Sequence, residues 1–240
     1  MLYVDDAEVV SISPRGLTRM MDVIVVACQE FGLTVSEKKT EAMHLWSHPN
    51  IASNALQIEA AGQRYKQTTE FVYLGGAISE STDLDTEIKR RIGAAWASVR
   101  KYCSQLYDRR NARLSLKIRL FKAEVMAPML YECATWTMRS QCFSSLCTAH
   151  HKLLLRIISF RRKDRIGYIP LSYREVLERT GSERIETTVR ERQLGFAGTL
   201  VRQGDSRLPK RVMFGRLAMQ GPKRGGRPAT SWVDCLQKHL

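Results

Sequence analysis

Met1-Leu2-Tyr3-Val4-Asp5-Asp6-Ala7-Glu8-Val9-Val10-Ser11-Ile12 sets two adjacent acids between two short apolar runs. Apolar runs on either side of a polar pair read as a β-hairpin, with Asp5 and Asp6 at its tip. Ser13-Pro14 follows at once, a capping hydroxyl and a ring already held at helical φ. Leu17, Met20, Met21, Ile24, Val25, Cys28 and Phe31 then recur at helical spacing until Gly32 ends the helix. Extended segments are expected at 41–46, 56–60 and 70–78, the last two flanking a turn at Ala61-Gly62-Gln63. Short strands around one helix make this part of the chain α+β.

From Ser81-Thr82-Asp83 onward the period changes to that of helices. Ile88, Ile92, Trp96, Val99 and Cys103 form one stripe, opposite Lys89, Arg90, Arg100 and Lys101. A second helix is expected over 114–136, kinked at Pro128, and a third over 143–160. The stretch 161–170 reads as a basic connector, 171–179 and 184–202 as helices, 220–228 as an exposed basic loop and 229–240 as a last short helix. The expected organisation is therefore 1–80, mostly short antiparallel strands, then a helical region 81–160 and a basic helical region 161–240.

With 44% hydrophobic and 26% charged residues, the chain has the composition of a folded soluble protein. No run of about 18 uncharged apolar residues occurs, and the acids at positions 5 and 6 do not suit a signal peptide. The expectation is an intracellular protein, nuclear or cytoplasmic, with no membrane partner. Six cysteines at irregular spacings read as free thiols. The net charge of +14 is unevenly spread: residues 1–150 hold 18 Lys and Arg against 16 Asp and Glu, whereas 151–240 hold 20 against 8. Clustered cations favour a polyanion, because each neutralised phosphate releases condensed counterions. An inert basic surface is the plainer reading of the same charges.

Two adjacent carboxylates repel unless a cation offsets them, and a divalent metal is a common offset. Hard oxygen ligands suit Mg²⁺, and phosphoryl-transfer sites use paired metals to activate the attacking oxygen and stabilise the leaving one. An Asp-Asp pair between strands is otherwise a solvated turn.

Three stretches in order carry a family resemblance. Leu2-Tyr3-Val4-Asp5-Asp6-Ala7 resembles the Tyr-x-Asp-Asp box of reverse transcriptases; Gly32-Leu33-Thr34-Val35-Ser36-Glu37-Lys38-Lys39-Thr40-Glu41-Ala42-Met43 looks like the next palm motif; and Phe71-Val72-Tyr73-Leu74-Gly75-Gly76 resembles the hairpin that grips the primer end. The tail segments Arg192-Gln193-Leu194-Gly195-Phe196-Ala197-Gly198-Thr199, Arg207-Leu208-Pro209-Lys210-Arg211, Gly226-Arg227-Pro228 and Trp232-Val233-Asp234 resemble those of non-LTR (LINE-type) retrotransposon enzymes. Phe196 and Thr199 stand where that family has Trp and His.

The resemblance implies a partial palm followed by a helical thumb and basic tail, from an RNA-directed DNA polymerase. It implies that Asp5 and Asp6 hold Mg²⁺ and, with Lys39 near the incoming triphosphate, carry the catalysis. Tyr3, Phe71, Tyr73, Leu74 and Gly75 are then primer-binding residues. The partners implied are an RNA template and a DNA primer, or an RNA–DNA duplex. Lys89, Arg90, Arg100, Lys101, Lys210, Arg211, Lys223, Arg224 and Arg227 are candidates for the nucleic-acid backbone; a solvated helix face accounts for the same residues. The family's further metal-binding Asp and its fingers precede the first motif, so the expectation is nucleic-acid affinity without unaided synthesis. A non-catalytic RNA- or DNA-binding protein derived from a retroelement is the alternative. Cys142, Cys147, His150 and His151 admit a zinc reading, although the surrounding Leu residues fit an ordinary core helix.

Overall fold

In the computed structural model, which describes residues 2–3, 6–45, 58–81, 83–158, 171–214 and 232–237, Leu2–Tyr3 (β1) pairs antiparallel with Asp6–Ala7 (β2). Asp6 is the register partner of Tyr3, so it stands within the second strand and not at a hairpin tip. Residues 9–12 form no strand, and Val10 and Ile12 are 71% and 107% exposed. The cause is local: Ser11 Oγ accepts from the Ser13 amide (3.3 Å) and donates to the Ser13 carbonyl (3.0 Å), a turn that competes with a ladder.

The chain divides into two compact units, Met1–Asp83 and Leu84–Leu240. In the first, Pro14–Glu30 (α1) is capped by Ser13, whose Oγ accepts from the Gly16 amide at 3.1 Å. It closes at Gly32 (φ 72°), where Leu33 N–H reaches the Cys28 carbonyl (2.8 Å) and Gly32 N–H that of Gln29 (3.0 Å), a Schellman closure that needs a left-handed residue. Glu41–Ala42 (β3), Ile58–Ala60 (β4) and Gln63–Gln67 (β5) make a sheet in the order β3-β5-β4.

Met21 of α1 packs with Ala42, Ile58, Ala60 and Tyr65 of that sheet, and each large buried side chain of this kind contributes about 1.5–3 kcal/mol. Asp22 Oδ1 accepts from the Ala61 amide (2.8 Å) and ties the β4–β5 turn to the helix. Two features depart from the sequence expectation. β5 is a strand although only Tyr65 of Gln-Arg-Tyr-Lys-Gln is buried, because the two positive-φ residues Ala61 and Gly62 fold it back on β4. That reversal also makes β3 and β5 parallel, where antiparallel pairing was expected. Glu70–Tyr73 (β6) and Gly76–Ser79 (β7) form a separate antiparallel hairpin, so the extended segment expected over 70–78 is split by a turn, at the place where the family resemblance implies a hairpin.

The second unit is helical. Asp85–Tyr102 (α2) continues into a π-helical turn, Cys103–Tyr107. Leu114–Leu120 (α3) runs through a second π turn, Phe121–Val125, into Met126–Met129 (α4). The helix expected over 114–136 thus ends seven residues early. Pro128 offers no N–H to the carbonyl four residues back, and the wider turn before it absorbs the mismatch that a kink would otherwise take. Beyond it, Glu132 adopts φ 60° and Cys133–Thr135 makes a single 3-10 turn.

Ser140–Ile157 (α5) supplies Leu146, Leu153, Leu154 and Ile157 to the main core, where they meet Val99 of α2, Phe121, and Val176 and Val189 of the next two helices. Those are Tyr173–Thr180 (α6), opened by a Ser172/Glu175 capping box and closed by Gly181 (φ 57°), and Ile185–Val201 (α7). Leu208–Phe214 (α8), not expected from the sequence, starts with Pro209 in its first turn, where the missing amide costs nothing. Trp232–Gln237 (α9) packs Trp232 and Leu236 against Ala197 and Leu200. The architecture is α+β, a small-sheet unit and a helical unit. No helix among the described residues is long and apolar enough to cross a membrane.

Candidate nucleic-acid interface and carboxylate strand

Of the two box carboxylates, Asp6 is exposed and makes no hydrogen bond or ion pair among the described residues, while Asp5 lies outside them. Tyr3 is placed by its backbone opposite Asp6. Lys39 sits in the turn between α1 and β3, its amide donating to the Ser36 carbonyl (3.2 Å) and its side chain exposed. No hydrogen bond or ion pair joins Lys39 to Asp6. Among the described residues no group of three or more His, Cys, Asp or Glu is placed to hold a metal ion. An exposed carboxylate is a chemically suitable Mg²⁺ ligand, but one described carboxylate is not a metal site.

The β6–β7 hairpin brings four candidate residues together. Phe71 and Tyr73 share one face, their rings stacked 6.4 Å apart at 18°. Leu74 (φ 48°) and Gly75 (φ 93°) form the two-residue turn between Tyr73 and its partner Gly76. Positive φ at both central positions matches a strand-twisting hairpin turn, and at Leu74 the Cβ makes that conformation strained by about 1–2 kcal/mol.

On α2, Lys89, Arg90, Gly93, Ala97, Arg100 and Lys101 are all exposed on one side, with Ile88, Arg91, Ala95 and Val99 buried on the other. Lys89 and Arg100 have no ion-pair partner among the described residues; Arg90 lies 3.6 Å from Glu87, and the Lys101 ammonium sits 5.0 Å from the Tyr102 ring centre. Arg91 belongs to the interior, paired with Glu87 and lying 4.5 Å over the Tyr131 ring.

The tail candidates divide. Lys210 caps the end of α7, its ammonium donating to the carbonyls of Val201 (3.0 Å) and Gln203 (2.8 Å) and pairing with Asp205 (2.8 Å). Arg211 is exposed. Lys223, Arg224 and Arg227 lie outside the described residues, as does the 161–170 connector. Three tail residues of the family-like segments turn inward instead. Gln193 Nε2 donates to the Trp136 carbonyl (2.9 Å) and Trp232 Nε1 to that of Ala134 (2.9 Å), while Arg192 Nη1 reaches the Leu130 carbonyl (3.0 Å). These three clamp the irregular segment after α4, which has few backbone partners of its own.

The cysteines and histidines of α5 find separate partners. Cys142 Sγ lies 3.7 Å from Asp85 Oδ1. Burial, reinforced by the Glu186 carboxylate, pushes the Cys147 thiol up to about 12. His150 Nδ1 and the Tyr173 hydroxyl share a hydrogen bond at 2.8 Å, and that hydroxyl also accepts from the Ile185 amide (3.2 Å). Burial, with a smaller contribution from His151, holds His150 down at about 4 despite the nearby Glu186 carboxylate. His151 Nε2 donates to the Leu171 carbonyl (2.9 Å). The result is a hydrogen-bonded joint between α5, α6 and α7.

The chain is 23% identical, over 251 aligned positions, to an uncharacterised transposon-derived protein of Caenorhabditis elegans; the match spans 99% of this chain and 84% of the worm protein. No protein-family model matches, and no solved structure is a match. The likeness extends through both structural units and supports a transposon origin for the chain.

Proposed function

We propose that the chain is a nucleic-acid-binding part of a retrotransposon reverse transcriptase, its helical unit gripping the phosphate backbone of a template–primer duplex. The observation that carries this reading is the exposed face of α2. From Lys89 to Lys101 it spans about 18 Å at 1.5 Å per residue, comparable with about five base-pair steps, with cations at both ends and the small residues Gly93 and Ala97 between them. Small residues let a backbone approach closely while the four cations reach phosphates on either side.

The transposon-derived relative and the order of the three palm-like motifs favour a polymerase ancestor over an unrelated basic protein. In that ancestor Asp5 and Asp6 are the Mg²⁺-binding carboxylates and the β6–β7 turn faces the primer end. Binding of the 240-residue chain to an RNA–DNA duplex, measured across a salt series, tests the reading. Affinity should fall steeply with salt, and Lys89→Gln with Arg100→Gln should make the dependence shallower. Salt-independent binding, or none, overturns it. Mg²⁺-dependent primer extension lost in Asp6→Ala would instead establish an enzyme.

A further inference from the structure

Helix α1 is apolar on two sides and covered on one. Met21 and Val25 are buried, and Leu17 packs against the same cluster as Met21. On the other side Met20, Val23, Ala27 and Phe31 recur at steps of three and four, with Val26 alongside. Of these, Met20, Val23, Val26 and Phe31 are 43%, 69%, 51% and 82% exposed. The solvent side of a helix is ordinarily polar, and a helix that is apolar all round is ordinarily covered all round.

The exposed side extends beyond the helix. A Cβ built on Gly16, which lies on this side, would meet Ser11 Oγ at 2.5 Å, so the segment carrying Val10 and Ile12 folds against the first turn of α1. Those two side chains are exposed as well. The four exposed apolar residues of α1 present roughly 450 Å² of surface, the size of patch that marks an interaction site. With Val10 and Ile12 the surface comes to roughly 750 Å², close to the ~800 Å² that each partner gives to a stable interface.

The charges beside this face are arranged for pairing with their own kind of surface. Arg19 and Glu30 lie about three helical turns apart on one rim of it, and neither has an ion-pair partner among the described residues. Antiparallel pairing with a second copy, about a two-fold axis midway between residues 24 and 25, sets Arg19 of each copy opposite Glu30 of the other. The same axis sets Val23 against Val26 and brings Met20, on the opposite rim, between the levels of Ala27 and Phe31. One centre thus answers both rim charges and the apolar positions between them.

We infer that α1 is a self-association face, on which two copies of the chain pair through antiparallel α1 helices, with Val23 packed against Val26 and Arg19 paired with Glu30 across the axis. The contact is between proteins and does not depend on the nucleic-acid reading.

Sedimentation velocity of the full chain, free of nucleic acid and over a concentration series, tests it. A species of twice the chain mass should grow with concentration. Val23→Lys puts a charge at the centre of the face, on a residue too exposed to disturb the fold, and should leave only monomer; Val26→Lys should do the same from the other side of the contact. Arg19→Glu sets like charges at both rims and should weaken association about tenfold, and adding Glu30→Arg should recover it. A parallel pairing gives no such rescue, because each charge there faces its own copy, so its absence overturns the antiparallel arrangement. A dimer that survives Val23→Lys and Val26→Lys lies on another surface and overturns the inference. A parent chain that stays monomeric also overturns it, and a thermal midpoint lowered by Val23→Lys would then assign the cover of α1 to another segment of the same chain. Duplex binding by the Val23→Lys monomer is measured separately, so failure of either reading leaves the other standing.

Discussion

Trp232 Nε1 donates to the carbonyl of Ala134 at 2.9 Å, joining residues 98 positions apart in the chain. The indole also meets Phe196 and Phe214 edge-on, with ring centres 6.1 and 6.0 Å away. A tail residue that resembles a family signature is, in this fold, the staple that holds the segment after α4.

Trp232→Phe keeps the ring contacts and removes the donor, which leaves a carbonyl short of its partner. The expected loss is about 1–3 kcal/mol, seen as a lower denaturant midpoint with an unchanged slope. Trp232→Ala should cost more, about 3–5 kcal/mol, because the indole volume goes too. An unaltered midpoint in both would mean that the clamp contributes nothing to stability.

His150 sets a pH dependence. Its folded pKa, about 4, lies below the 6.5 of an ordinary histidine, so between those values the unfolded chain binds more protons than the folded one. Stability should therefore fall as pH drops from about 6.5 towards 4, by up to about 3 kcal/mol from this group. His150→Gln still offers the Tyr173 hydroxyl an acceptor but cannot titrate. Its stability, subtracted from that of the parent chain at each pH, should remove this part of the acid loss; a constant difference across the range would contradict the assignment.

Glu87 and Arg91 form a buried pair, with side chains only 4% and 9% exposed. Glu87→Ala leaves a buried guanidinium without its carboxylate, and the expected cost is about 3–5 kcal/mol. Glu87→Leu combined with Arg91→Met should recover most of that, since an apolar pair of similar volume avoids the desolvation of both charges. Thermal denaturation of the two single variants and the double variant closes the cycle, and additive losses would show that the pair is not coupled.

Leu74 occupies a left-handed turn position that Asn tolerates better. Leu74→Asn should stabilise the first unit by roughly 0.5–1 kcal/mol if backbone strain outweighs the contacts of a side chain that is 38% exposed. Hydrogen exchange of the β6–β7 amides reads this directly, and faster exchange in the variant would mean that the leucine contacts win. The same variant should weaken duplex binding if the turn touches the primer end.

What the sequence determined by itself is local. The Ser13-Pro14 start and Gly32 stop of α1 depend on atoms a few residues apart, so they are legible without the rest of the chain. The same holds for the apolar stripe of α2. The excess of cations is legible too.

Which cations face solvent was decided only by the tertiary structure. Lys89 and Arg91 are two positions apart, yet one is exposed and the other is sealed against Glu87 and Tyr131. Lys117 is buried and donates to the Tyr107 carbonyl at 2.6 Å, while Arg119, two residues on, lines an open groove. Lys210 spends its charge on the end of α7. In each case the deciding partner is a backbone carbonyl, a carboxylate or a ring brought there by folding. The hairpin with which the chain begins shows the same division. The acids at positions 5 and 6 are plain in the sequence, but the pairing of Asp6 with Tyr3 follows from the strand register, which hydrogen bonds between backbones set and no side-chain pattern over so few residues specifies.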